Sequence, residues 1–155
     1  MGSGKTLVGA LVAQRGNVPF FDLDHLVEDK AGMSIGEIFA THSEEAFRAF
    51  EKATLPRVMQ PGSVVALGGG VVVDDDNWRL ISARAFTVYL EVPFKTIWQR
   101  IHHLPGRPLI FNRTESEVEA LFEQRRVRYE QAQHRVDATR PAGDVANEVL
   151  TLWSA

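Results

Sequence analysis

Hydrophobic residues fall into short continuous runs, separated by longer segments in which apolar and polar positions recur with a helical period. The runs at residues 18–21, 63–67 and 86–92 are typical of β-strands buried on both faces, and a weaker strand is predicted at 135–138. Because these strands alternate with helical segments, the sequence predicts an α/β fold built on a parallel sheet.

Capping residues mark where several predicted helices begin. Ser34 with Glu37 and Thr114 with Glu117 have the spacing of a capping box, and Ser43 is suited to cap a third helix. The predicted helices cover residues 7–16, 34–37, 43–59, 77–83, 94–103, 114–134 and 141–153. The segment between about 104 and 114 carries two prolines and a glycine, so it is predicted to be a loop of lid character.

Composition narrows the class of protein. The 155 residues are 45% hydrophobic and 24% charged, which is typical of a single globular domain. A net charge of -3 gives no basic field to recruit nucleic acid, and the lack of cysteine excludes disulfides and thiolate chemistry. No membrane-length apolar run and no signal peptide are visible, so we expect a cytoplasmic protein without membrane partners.

The sequence G-S-G-K-T at residues 2–6 matches the end of a phosphate-binding loop, G-x-x-x-x-G-K-[ST]. Lys5 would place its charge on the β- and γ-phosphates of a nucleotide, and the Thr6 hydroxyl could ligate Mg²⁺. The backbone N–H groups that would converge on phosphate oxygens belong to Gly2, Ser3 and Gly4.

The chain begins inside this motif, because the first glycine of the pattern and the strand that feeds a P-loop would precede Met1. We interpret Met1 as an internal methionine of a longer protein. The sheet is then expected to lack its central strand, and the chain is expected to be poorly stable and weakly active.

Two polar motifs follow the predicted strands. Asp22 and Asp24 end the first strand, at the sheet edge where α/β proteins bind ligands, so one could hold Mg²⁺ and the other could orient a hydroxyl. Gly68, Gly69 and Gly70 end the second strand and would let the backbone approach a small polar ligand.

Several arginines are candidates for binding anions. Arg48 and Glu51 share a helical face, so Arg48 either forms a surface salt bridge or grips a substrate carboxylate. Arg107 lies in the lid loop, where an arginine can close over a phosphoryl group. Arg125 and Arg126 both lie on a basic helix, and the sequence does not decide which of them contacts a substrate.

Taken in order, the motifs G-S-G-K-T, D-x-D, F-R-x-x-E, strand-G-G-G, R-P-L and R-x-x-x-Y resemble those of shikimate kinases. The resemblance implies a three-layer P-loop kinase fold in one domain, residues 1–155, with its N-terminal central strand missing. It also implies Mg²⁺- and ATP-dependent phosphorylation of the shikimate 3-hydroxyl, in aromatic amino acid biosynthesis, by a monomer.

The resemblance implies catalytic and metal roles for the residues near the N-terminus. Lys5 and the P-loop would bind ATP, and Thr6 with Asp22 would organise Mg²⁺. Asp24 would orient the attacking hydroxyl and accept its proton. Arg107 would stabilise the transferred phosphoryl group.

The resemblance also implies the substrate contacts. Arg48 and Arg125 would hold the shikimate carboxylate, Glu51 would position Arg48, and residues 68–70 would line the pocket. The two arginines expected to flank adenine are Arg100 and Arg140.

Other functions remain open from the sequence alone. A related small-molecule kinase, such as a gluconate kinase, would share the P-loop but not the F-R-x-x-E and G-G-G motifs. A catalytically silent homologue would bind shikimate without turning over ATP.

Overall fold

The four predicted strands are confirmed in the computed structural model, which describes residues 2–103, 110 and 113–154. They are β1 (Phe20–Asp22), β2 (Val64–Ala66), β3 (Val88–Glu91) and β4 (His134–Asp137). β1 runs parallel to β2, and β3 runs parallel to β4. Within the described residues the strands form these two separate pairs and not one continuous sheet.

Eight helices surround the strands in the part of the chain that is described. They are α1 (Lys5–Gly16), α2 (Leu23–Ala31), α3 (Ile35–Thr41), α4 (Glu44–Val58), α5 (Asp75–Arg84), α6 (Phe94–Ile101), α7 (Glu115–Tyr129) and α8 (Ala142–Ser154). A single 3₁₀ turn, Val71–Val73, follows the triple glycine. Among the described residues, no helix combines the length and the apolar character needed to cross a membrane.

Helix boundaries follow the capping chemistry read from the sequence. Both capping boxes are present, at the starts of α3 and α7, and Ser43 accepts a hydrogen bond at the start of α4. The predicted end of α7 near His134 is wrong, because the helix ends at Tyr129. The chain turns there, with the Ala132 N–H donating to the Tyr129 carbonyl, so that His134 can pair with Val88.

The α2 helix was not predicted from the sequence. It begins directly where β1 ends, because Asp22 acts as its N-cap and accepts a hydrogen bond from the Asp24 N–H at 3.0 Å. Leu23 and Val27 are fully buried on its inner face. The helix therefore fixes the direction in which Asp24 leaves the strand.

The two strand pairs border a cavity of about 340 Å³. Val65 of β2 and Tyr89 of β3 line it from either side, and Val8 and Val12 of α1 close it from one face. This arrangement agrees with the expectation of a sheet without its middle strand, because the two strands that would flank such a strand face the same open volume.

Apolar side chains pack in separate clusters on either side of the cavity. One cluster joins α1, α6, α7, α8 and β4 through buried residues that include Val12, Ile97 and Val136. Another joins α2, α4, α5 and the 3₁₀ turn through Leu23, Leu55 and others. The second cluster holds the helices that carry Asp24 and Arg48, so it sets the spacing of the candidate site.

Candidate active site

The phosphate-loop residues form a left-handed turn that leads into α1. Gly2 and Gly4 have φ of +59° and +89°, a region that glycine adopts without strain. Gly4 caps α1, and its carbonyl accepts a hydrogen bond from the Val8 N–H at 2.9 Å. Ser3 is buried. The N–H groups of the first helical turn can therefore face an anion at this end of α1.

Thr6 and Asp22 meet where α1 begins and β1 ends. The Thr6 hydroxyl donates to Asp22 Oδ2 at 2.6 Å, while Asp22 Oδ1 caps α2. Hydroxyl and carboxylate oxygens beside a phosphate loop are the ligand types that Mg²⁺ prefers. The pair therefore fits a magnesium ion that is completed by phosphate and water. In the described residues, no group of three or more acidic or histidine side chains forms a separate metal cage.

Asp24 lies in the first turn of α2 and is half-buried. Burial raises the pKa of Asp24 above its usual value, Lys5 opposes that rise, and the Asp22 carboxylate adds to it. A carboxylate with a raised pKa is a stronger base at neutral pH. Asp24 therefore combines proximity to the Lys5 charge with the basicity needed to accept a proton.

Gly68 brings the backbone after β2 against two carboxylates. A Cβ at this position would lie 2.7 Å from Asp24 Oδ1 and 3.1 Å from Glu51 Oε1. A real side chain would displace the first of these. The triple glycine is thus required, at least at Gly68, for the strand end to approach the acidic groups this closely.

Arg48 and Glu51 form a partly buried ion pair on α4. Arg48 Nη1 donates to Glu51 Oε2 at 2.5 Å, and Glu51 is only 1% exposed, so this is not a surface salt bridge. Arg48 Nη2 also donates to Glu44 at 2.9 Å. Burial opposes the charge of Arg48, but Glu51 and Glu44 outweigh it and raise the pKa of Arg48. The arginine therefore stays charged beside the pocket.

The second oxygen of Glu51 has no hydrogen-bond partner among the described residues. Burial raises the pKa of Glu51 to about 7; Arg48 and Arg125 work against this rise, and Asp24 adds to it. The Glu51 carboxylate thus lies within electrostatic reach of Arg125, on α7, and of Asp24, on α2. Three helices converge on this one buried group.

Gly70 faces the guanidinium group of Arg48. A Cβ built on Gly70 would overlap that group, so only glycine leaves room for the side chain as it is placed. The triple glycine therefore approaches Asp24 at its first residue and Arg48 at its third.

Two neighbouring arginines on α7 have different environments. Arg125 is 7% exposed and lies near Glu51 and Tyr129. Arg126 is 46% exposed at its side chain and pairs with Glu123 and Glu130 on its own helix. The geometry thus brings Arg125, and not Arg126, to the cluster.

Together these residues form two adjacent zones. The phosphate loop, Lys5 and the Thr6–Asp22 pair can hold a nucleotide with its metal. Arg48 and Arg125 can hold a second anion, and Asp24 lies between the two zones. The motif order and this geometry agree with a comparison against protein families, in which the model described as shikimate kinase matches residues 1–153.

The chain belongs to the shikimate kinase family.

Individual shikimate kinases show how close the similarity is. The Streptococcus gordonii enzyme is 38% identical over 98% of this chain and 92% of its own length. The crystal structure of shikimate kinase from Aquifex aeolicus is 32% identical, with a TM-score of 0.89 over 99% of this chain and 92% of that one. Shikimate kinase from Acinetobacter baumannii, solved in complex with shikimate, is 31% identical, with a TM-score of 0.95 over 99% and 88% of the two chains.

Of the three remaining residues implied by the resemblance to shikimate kinases, the two that the structure describes differ in their contacts with the phosphate loop. Arg100 reaches the phosphate loop, where Nη1 donates to the Gly2 carbonyl at 3.3 Å. Arg140 donates to the Asp137 carbonyl and pairs with Glu148, and none of its described contacts reaches the loop. Arg107 lies outside the described residues, as does most of the expected lid.

Sequence reasoning assigned no role to Tyr129, although the motif R-x-x-x-Y contains it. In the structure the Tyr129 hydroxyl donates to the Gly69 carbonyl at 2.8 Å. The only signal in the sequence is its spacing of one helical turn after Arg125, which places both on the same face of α7.

Proposed function

We propose that this chain transfers the γ-phosphoryl group of ATP to the 3-hydroxyl of shikimate, giving ADP and shikimate 3-phosphate in aromatic amino acid biosynthesis. The observation that carries the proposal is the convergence of Asp24 and Arg48 on the triple glycine, next to a phosphate loop that ends in Lys5. The family match supports the same reaction.

The nucleotide would occupy the N-terminal end of α1. Backbone N–H groups of residues 2–4 would bind the phosphates, and Lys5 would neutralise their charge. Thr6 and Asp22 would hold Mg²⁺, which supplies charge stabilisation for the phosphates when bound. Arg100, already bonded to the loop at Gly2, would lie on the nucleotide side. We keep Arg140 as a proposed adenine contact, with its sequence position as the only support.

Shikimate would lie between α2, α4 and α7. Arg48 and Arg125 would bind its carboxylate, because both guanidinium groups lie at the Glu51 cluster and a guanidinium group can grip a carboxylate with two hydrogen bonds. Glu51 would hold Arg48 in position through the 2.5 Å bond. The glycines at 68–70 would let backbone groups approach the ring.

Asp24 would act on the attacking hydroxyl. Its carboxylate would accept a hydrogen bond from the 3-hydroxyl, align the oxygen with the γ-phosphorus, and take the proton as the new P–O bond forms and the bond to ADP breaks. Phosphoryl transfer depends mainly on positioning and charge stabilisation, so Lys5 and Arg107 would supply the remaining positive charge.

The test is ADP release by the purified chain with shikimate, gluconate or a nucleoside monophosphate as acceptor. We expect turnover with shikimate at least a hundredfold above the other two. Turnover with gluconate would instead identify a related small-molecule kinase. Binding of shikimate without ADP release, both by this chain and by the chain with a strand-forming N-terminal extension, would identify a silent homologue. We further propose a monomer in the cytoplasm, which light scattering of the purified protein and cell fractionation would check.

A further inference from the structure

Tyr129 ties the end of α7 to the triple glycine. Its hydroxyl donates to the Gly69 carbonyl at 2.8 Å, across 60 positions of sequence. The ring is held by aromatic neighbours, with centroids 5.5 Å from Tyr89 and 6.5 Å from Phe122. The tyrosine is therefore fixed at both its apolar and its polar end.

This hydrogen bond determines the orientation of the next peptide group. The Gly69–Gly70 peptide is trans, and in a trans peptide the carbonyl and the N–H point in opposite directions. Because Tyr129 holds the Gly69 carbonyl, the Gly70 N–H points away from Tyr129. A glycine pair has little conformational preference of its own, so without such a bond this peptide could rotate.

The direction of the Gly70 N–H matters because Gly70 faces Arg48. The space beside the Gly70 α-carbon is filled by the Arg48 guanidinium group, so an anion bound to Arg48 would be close to this peptide. A backbone N–H that points toward a bound carboxylate adds a charge-assisted hydrogen bond to the one from arginine.

A second contact keeps α7 in register with the same segment. Arg128 pairs with Asp75, the first residue of α5, and its guanidinium group lies 5.7 Å from the ring centroid of Trp78. The 3₁₀ turn between Gly70 and α5 is thus held to α7 at both ends. Arg125 lies one turn before Tyr129 on the same helix.

We infer that Tyr129 is a positioning residue for shikimate. By fixing the Gly69 carbonyl, it aims the Gly70 N–H at the carboxylate that Arg48 and Arg125 bind, and so couples the two sides of the pocket. This inference rests on the proposed function, since it requires the acceptor anion to bind at Arg48.

The experiment compares Tyr129→Phe with Tyr89→Phe. The chain has only two tyrosines, and the matched control removes a hydroxyl from a neighbouring ring in the same aromatic cluster. Shikimate affinity is measured by calorimetry, the KM values for shikimate and ATP by ADP release, and the melting temperature by calorimetric scanning. Shikimate methyl ester, which lacks the anion, serves as the second ligand.

We expect Tyr129→Phe to weaken shikimate binding about three- to tenfold relative to Tyr89→Phe, which corresponds to the loss of one hydrogen bond. The KM for ATP should match that of the control, and the melting temperature should fall by no more than a few degrees, because one hydrogen bond of the fold is lost. The penalty should be clearly smaller with the methyl ester, because its neutral carbonyl accepts a weaker hydrogen bond from the N–H than the carboxylate does.

Equal shikimate affinity in the two variants would overturn the inference. A matching rise in the KM for ATP, or an equal penalty with the methyl ester, would also overturn it, because the effect would then be general and not directed at the carboxylate. If the unmodified chain binds no shikimate, the proposed function fails first and this inference fails with it, so the two failures are distinguished by the wild-type measurement.

Discussion

Asp24 and Glu51 lie on different helices, yet their carboxylates approach the same point on Gly68, at 2.7 and 3.1 Å from where its Cβ would stand. Burial raises the pKa of both groups, and the nearby Asp24 carboxylate adds to the rise in the pKa of Glu51. The arginines at this site therefore balance a concentration of negative charge as well as offering contacts to a substrate anion.

Replacing Asp24 tests the proposed base. Asp24→Asn should lower kcat by about 10²–10⁴, since the amide cannot accept the hydroxyl proton, while the affinity for shikimate changes little. Initial rates of ADP release measure the first quantity, and calorimetry measures the second. Asp29→Asn, an exposed aspartate on the same helix, should leave both unchanged. Near-wild-type turnover in Asp24→Asn would show that the assigned role is wrong.

Replacing Gly68 or Gly70 by alanine should change different kinetic constants. Gly70→Ala would push the Arg48 guanidinium group aside, so we expect the KM for shikimate to rise about tenfold or more. Gly68→Ala would displace the Asp24 carboxylate, so it should mainly lower kcat. Steady-state kinetics distinguish the two effects. Gly36→Ala is the control, because a Cβ on Gly36 would lie 3.9 Å from its nearest neighbour, the Ser34 hydroxyl oxygen, which is an ordinary contact. Identical kinetic changes in both variants would contradict this division.

Glu51 should give the protein a characteristic pH dependence of stability. Its pKa is raised from 4.5 to about 7, chiefly by burial, so the native chain holds this proton more tightly than the unfolded chain. The stabilisation is full below about pH 4.5 and is lost as the pH rises toward 7. The free energy of unfolding, relative to Glu51→Gln, should fall by up to about 1.4 kcal/mol per pH unit in this window.

Urea denaturation of both proteins between pH 5 and 8 measures this difference. Glu45→Gln is the control, since Glu45 is exposed on the same helix. Its stability relative to wild type should stay constant over the same window. A pH-independent difference between wild type and Glu51→Gln would refute the prediction.

The Thr6–Asp22 pair should determine the metal requirement. Thr6→Val removes one proposed oxygen ligand, and Asp22→Asn removes the charge of another. The Mg²⁺ concentration for half-maximal activity should therefore rise about tenfold in each variant. Titration of ADP release with Mg²⁺ measures this. Thr41→Val, at an exposed helical threonine, should not shift the titration. An unchanged requirement in the first two variants would remove both residues from the metal site.

The cavity between the strand pairs should accept an extended segment. An N-terminal extension with about five apolar residues, followed by a glycine-containing loop, would place a strand beside β2 and β3. Each added ladder bond contributes about 0.5–1.5 kcal/mol, so the melting temperature should rise by several degrees and activity should increase with it. Calorimetric scanning checks the first effect, and ADP release checks the second. The same extension with prolines at alternate positions should raise neither the melting temperature nor the activity, because proline cannot donate ladder hydrogen bonds. Equal increases from both extensions would contradict strand pairing.

Local chemistry explains why much of this site could be predicted. The phosphate loop, the two capping boxes and the acidic residues after β1 are set by hydrogen bonds within a few residues, so their spacing is visible in the chain. Three of the four strands were recognisable as continuous apolar runs, whereas β4 gave a weaker signal because only Val136 is buried in it. The i, i+3 spacing of Arg48 and Glu51 predicted their pairing.

Tertiary packing decided what spacing could not. Only the fold places Arg125 inside and Arg126 outside, because which face of α7 is buried depends on the helices packed against it. Only the fold reveals that the Arg48–Glu51 pair is partly buried and that Tyr129 reaches Gly69. The sequence by itself determined which groups are available and where each element begins. Packing between distant segments decided which charges are desolvated and brought together, because burial and long-range contact depend on the whole chain and not on any one motif.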